Sequence, residues 1–145
     1  MKLEKNWRKL LRSADEMLDE IEIILDDLRE LAQESVILVE GRRDRDALDI
    51  LNINGDVVQV QDAGGIFGVA ENLAILGKTA IILTDWDRKG GQLARLLRNA
   101  LRSCDVPYDD NIRLRMAKLS KKEIKDVESI PAFISLLNER RRMNL

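Results

Sequence analysis

Asp85 and Asp87, separated only by Trp86, stand at the end of the apolar run Ile81-Ile82-Leu83, and Gly90-Gly91 follows shortly after. Two carboxylates at i and i+2 can present hard oxygen donors to one divalent cation, and Mg²⁺ prefers such ligands. A short apolar run reads as a buried strand, and open α/β sheets bind ligands in the crevice beyond their strand ends. A second acid, Glu40, closes a second apolar run, Val36 to Val39. Acids gathered in one crevice repel each other unless a cation or a shared proton offsets the charge. Around a metal they can neutralise a phosphodiester, orient a water and stabilise a leaving oxygen. Arg42, Arg43, Arg88 and Lys89 flank these acids, and helix N-termini expected near residues 42 and 88 would add partial positive charge. Gly41 and Gly90-Gly91 leave room for a backbone or a phosphate to approach. The pattern points to a polyanion site with a metal rather than to a pocket for a small neutral ligand.

The rest of the composition narrows the chemistry. Histidine is absent, which removes Ser-His-Asp and Cys-His catalysis and nearly all zinc sites. The single cysteine, Cys104, excludes an internal disulfide and fits a reducing cytoplasm. No apolar run approaches a membrane span, and the densely charged N-terminal residues do not read as a signal peptide, so a cytoplasmic setting and no membrane partner are expected. With 45% apolar but only 3% aromatic residues, the core should be aliphatic. The net charge of −2 hides an asymmetry: residues 1–35 carry six basic and ten acidic groups, and residues 36–145 carry 18 and 16.

The acids must be positioned by a sheet. Residues 3–32 predict one long amphipathic helix, with Leu3, Trp7, Leu10, Ala14, Met17, Ile21, Ile24, Leu28 and Leu31 on a 4-3-4-3 spacing. That stripe could pack on the domain, dimerise or hold a protein partner. Strands are expected at 36–39, 57–60, 79–84 and 112–116, the last from the alternation of Ile112, Leu114 and Met116. Helices are expected at 42–51, 66–76 and 88–102, the last with Leu93, Leu96, Leu97, Ala100 and Leu101 inward. Residues 121–128 read as charged and partly helical. A final helix over 132–142, with Ser129 as N-cap and Phe133, Ile134, Leu136 and Leu137 inward, ends in Arg140-Arg141-Arg142. Strands alternating with helices predict a parallel sheet of order 2-1-3-4, which sets Glu40 beside Asp85 and Asp87 although they lie 45 residues apart in sequence. The organisation expected is an N-terminal helix at 1–33, a domain at 34–130 and a C-terminal helix at 131–145 packed on it.

Val39-Glu40-Gly41-x-x-Asp44 and Thr84-Asp85-x-Asp87-x-x-Gly90 together resemble the two signature motifs of the Toprim domain, found in bacterial-type primases, topoisomerases and ribosomal-RNA maturation nucleases. The resemblance covers roughly residues 34–130. It implies a three-layer α/β Toprim-like fold with a four-stranded, mainly parallel sheet. It also implies Glu40 as general acid/base or additional metal ligand, Asp85 and Asp87 as ligands of Mg²⁺ (Mn²⁺ as the alternative), and Asp44 as a further acid of the site. Lys89 stands where longer versions of the motif carry a third acid, and Asp126 resembles a downstream acidic position of primases.

The expected function is Mg²⁺-dependent phosphodiester chemistry on RNA or DNA, as a small nuclease. The alternative is a non-catalytic nucleic-acid-binding or assembly subunit. A phospho-acceptor receiver domain fits less well, because its acid pair follows the first strand. Basic clusters at 42–45, at Arg95, Arg98 and Arg102, at Arg113, Arg115, Lys118, Lys121 and Lys122, and at 140–142 are candidate phosphate contacts.

Overall fold

The computed structural model describes the backbone of residues 2–143 and the side chains of residues 13–143. In chain order the elements are α1 (Lys2–Leu31), β1 (Ser35–Val39), α2 (Arg42–Ile50), β2 (Val57–Gln59), α3 (Gly65–Leu76), β3 (Thr79–Ile82), α4 (Arg88–Ser103), β4 (Tyr108–Asp109), α5 (Asn111–Ser120) and α6 (Ile130–Arg142). A 3-10 turn at Val60–Asp62 leads from β2 into α3. The strands form one sheet in the order β2-β1-β3-β4, and every pair is parallel. Parallel neighbours require crossovers, which the intervening helices supply.

Both faces of the sheet are buried, which explains why β1 and β3 are apolar without a break. Period two sends alternate residues of these strands to opposite faces. Ile37, Val39 and Ile81 join one core with Ile21, Leu25 and Leu28 of α1, Leu48 of α2, Ile112 and Met116 of α5, and Phe133 and Leu137 of α6. Val36, Leu38, Ala80 and Ile82 join the other with Val69 and Leu73 of α3 and Ala94, Leu97 and Leu101 of α4. From Ala14 to Ala32 the stripe of α1 is spent on this core, and among its large apolar side chains there Ile23 and Leu31 stay exposed. A partner is not needed to cover that part of the stripe. The side chains of Leu3, Trp7 and Leu10 and of the basic start of α1 lie outside the described residues.

The fourth strand departs from expectation. Residues 112–116 lie in α5, and β4 is instead the two-residue segment Tyr108–Asp109. Ile112 and Met116 are spaced i, i+4 and buried, whereas Leu114 between them is 50% exposed, so the period is helical and not alternating. Asp109 starts this helix: its carboxylate accepts the Ile112 N–H at 3.1 Å. Smaller differences have the same origin. Ala94 faces the core while Leu96 is exposed, and Leu136 of α6 is exposed too. Residues 121–129 form turns rather than helix. Ser129 makes no side-chain cap; its N–H is instead accepted by Asp126 at 2.8 Å.

Candidate active site

β1 and β3 run side by side, so their C-terminal ends deliver Glu40 and the Asp-x-Asp segment to one edge. Pairing continues past the regular strand, with Leu83 N–H donating to Leu38 O at 2.9 Å. Thr84 is fully buried, and its hydroxyl donates to Gly90 O at 2.9 Å, folding the segment back on the first turn of α4. The next residue makes the central contact: Asp85 N–H donates to Glu40 Oε2 at 2.7 Å. Asp87 is the N-cap of α4 and accepts the Gly90 N–H at 2.7 Å. A side chain at Gly90 would strike the carbonyl of Asp85, so the close turn requires glycine.

The electrostatics follow from this crowding. Oδ1 of Asp85 is buried without a hydrogen-bond partner. Its carboxyl is pushed up to about 8, first by burial, then by the Glu40 carboxyl beside it and by the charges of Asp44 and Asp126. A proton on Asp85 would bond to Glu40. With both groups ionised, Oδ1 has no donor at all. Asp44 is only 6% exposed. It accepts the Gly41 N–H and the Glu128 N–H, each at 3.2 Å, yet burial outweighs these bonds and raises its carboxyl.

Two contacts bring the 124–128 segment to the same edge. Trp86 N–H donates to Lys125 O and its indole N–H to Ile124 O, both at 2.8 Å. Together with the Asp44 bond to Glu128, they set Asp126 where its charge acts on both Asp44 and Asp85.

The basic residues divide. Arg42, Arg88 and Lys89 are exposed on the first turns of α2 and α4 and enter no ion pair among the described residues. Arg43 lies 3.4 Å from Glu128. The expected clusters farther along the chain are partly spent internally, while Arg95, Lys118, Lys121, Lys122, Arg140 and Arg142 enter no ion pair among the described residues. Arg98 pairs with Asp110, Arg115 with Asp27 of α1, and Arg141 with Asp15, while Arg102 stacks over Tyr108. Arg113 departs furthest from a surface phosphate contact: it is buried beneath the Asp-x-Asp segment. Its guanidinium donates from Nε to Thr84 O at 3.0 Å and from Nη2 to Asp85 O at 2.8 Å. Burial, followed by the like charge of Arg98, lowers its pKa. Its position shows only once residues 112–116 are wound as a helix, where Arg113, Met116 and Ser120 share the buried side.

Among the described residues no three His, Cys, Asp or Glu side chains gather into a complete ligand cage. Mg²⁺ needs fewer protein ligands than that, since it keeps several waters and often takes one or two carboxylates. The buried, partnerless Oδ1 of Asp85 beside the Glu40 carboxyl fits such a cation. Two clefts of about 540 and 440 Å³ lie elsewhere, one between the end of α1 and β4 and one beside α3, and Glu40 and Asp85 line neither. No described helix is long and apolar enough to cross a membrane.

No family model matches the chain. A UPF0292 protein of Methanosarcina barkeri is 38% identical over 121 residues, which cover 83% of this chain and 84% of that protein. A UPF0292 protein of Methanocaldococcus jannaschii is 28% identical over 122 residues, covering 83% and 94%. Among solved structures, a protein from Aquifex aeolicus aligns with a TM-score of 0.63 and 27% identity over 75% of this chain and 96% of that one.

Proposed function

The chain belongs to the UPF0292 family, and we propose that its strand-end acids form the Mg²⁺ site of a Toprim-type nuclease acting on RNA or DNA. The observation that carries this reading is the meeting of Glu40 and Asp85, which leaves one buried carboxylate oxygen without a partner. Both motifs that resemble Toprim signatures end on adjacent parallel strands, as that three-layer fold would require.

Asp85 and Glu40 would hold Mg²⁺ together with the waters it keeps, and the cation when bound would supply Lewis-acid stabilisation of phosphoryl oxygens and lower the pKa of water, while Asp87 caps α4. Glu40 accepts the proton of the attacking water and returns one to the leaving oxygen. Arg42, Arg88 and Lys89 hold the backbone phosphates on either side, without reading sequence. The first turns of α2 and α4 add backbone partial charge of the same sign. Asp44 acts as a brace: its oxygens tie the start of α2 to the 124–128 segment. Asp126, carried on that segment, offsets part of the acidity lost where Lys89 replaces a third motif acid.

The test is incubation of the full chain with structured RNA, single-stranded DNA and duplex DNA, with and without Mg²⁺. Cleavage should require Mg²⁺, disappear in Asp85→Asn and fall by about 100-fold or more in Glu40→Gln. Cleavage that survives both substitutions would sink the mechanism. Binding without turnover would turn the reading to a nucleic-acid-binding subunit.

A further inference from the structure

We infer that Arg113 is the positioning residue of the acid pair, holding the Thr84–Asp85 backbone in the orientation that aims the Asp85 carboxyl at the cation. The inference rests on the metal reading given above. A guanidinium only 6% exposed is a costly thing to place in a core, and packing alone would be better served by an apolar side chain. Among the described residues no carboxylate lies within ion-pair distance of it. Its donors go to two consecutive main-chain carbonyls, Thr84 O at 3.0 Å and Asp85 O at 2.8 Å.

Those carbonyls lie beyond the last regular residue of β3, Ile82, past the end of its register with either neighbouring strand. A planar fork holds two carbonyls in one fixed geometry, whereas the donors of a lysine ammonium rotate freely and fix no such direction. The Thr84 carbonyl shares one trans peptide plane with the Asp85 N–H, so turning that carbonyl onto Arg113 points the N–H the other way, onto Glu40 Oε2 at 2.7 Å. The residue is therefore gripped from both sides. Gly90 lets the first turn of α4 close over the same place, and Arg113 Nη2 lies 3.7 Å from where a Gly91 side chain would begin. The fixed element is thus the peptide that carries the ligand, and Arg113 itself need not touch the metal.

Mn²⁺ binding to the full chain, followed by electron paramagnetic resonance, tests this without reference to activity. Arg113→Lys keeps a charge but loses the fork, and should weaken Mn²⁺ binding by about tenfold, as changes behind a metal ligand commonly do. Arg113→Met should weaken it at least as much. In Arg113→Lys the Asp85 amide proton resonance should also move toward the position of an unbonded amide. Unchanged Mn²⁺ affinity in Arg113→Lys overturns the inference. So does tighter binding in Arg113→Met, which would mean that the guanidinium only repels the metal. Asp85→Asn separates the two levels. If it binds Mn²⁺ as tightly as the unaltered chain, the metal reading falls and this inference with it. If it loses Mn²⁺ while Arg113→Lys does not, only the inference falls. Should Arg113→Met not fold, the Arg113→Lys result decides.

Discussion

Asp85 donates its backbone N–H to the Glu40 carboxylate while its own carboxyl oxygen Oδ1 is buried without a partner. One residue thus joins the two strand ends and leaves a carboxylate oxygen without a partner. Three predictions follow from the way this edge and its supports are built.

The first concerns pH. The Asp85 carboxyl is raised from 3.8 to about 8 in the folded chain, so the unfolded chain gives up this proton first as pH rises. Stability associated with the protonated group is complete below about pH 4 and is lost as pH climbs through about 8. Thermal melts of the metal-free protein should therefore fall between about pH 5 and pH 8. Asp85→Asn should flatten that slope, and Mg²⁺ added at the upper end should restore part of the loss. An Asp85→Asn slope equal to that of the unaltered chain would remove Asp85 as its cause.

The second contrasts two neighbouring glycines. A methyl at Gly90 would collide with the Asp85 carbonyl, whereas at Gly91 it meets only ordinary contact with Arg113. Gly90→Ala should destabilise by about 3 kcal/mol, at the upper end of common point changes. Gly91→Ala should stabilise by up to about 1 kcal/mol through helix propensity. Urea denaturation of both variants measures the difference, and equal effects would contradict the close turn.

The third checks the helix at 111–120. Leu114 is 50% exposed and Met116 only 2%. Leu114→Gln should change stability by no more than about 0.5 kcal/mol. Met116→Ala should cost about 2 to 5 kcal/mol. A strand with this alternation would bury Leu114 and Met116 on one face, so comparable losses from both changes would restore the strand.

Much of the edge was legible because its signals are local. Apolar runs closed by acids mark strands that end at a site, and the alternation of strands and helices fixes which two strands are neighbours. The order β2-β1-β3-β4 follows from the residues even though β4 was expected four residues too late. Ile112, Leu114 and Met116 satisfy period two, while Ile112, Met116 and Leu119 satisfy a helical period, and so short a segment cannot separate them by apolarity alone. Asp109 decides in favour of the helix by accepting the Ile112 N–H. Arg113 stayed hidden for the same reason, since its burial depends on that helix being wound. The roles of Asp44 and Trp86 were illegible for a different reason: their partners are backbone atoms of residues 124, 125 and 128, contacts that leave no mark in residue types.

The way α1 is covered bears on how the chain is made. Its apolar stripe is synthesised first, yet it closes against α5 and α6, and the Asp27–Arg115 ion pair joins positions 88 residues apart. A nascent chain must carry an exposed amphipathic helix until α5 and α6 leave the ribosome. Non-local closure of this kind slows folding and leaves apolar surface bare meanwhile. Shortened chains that lack α6 should therefore tend to aggregate, even though every residue proposed for the chemistry is already present in them.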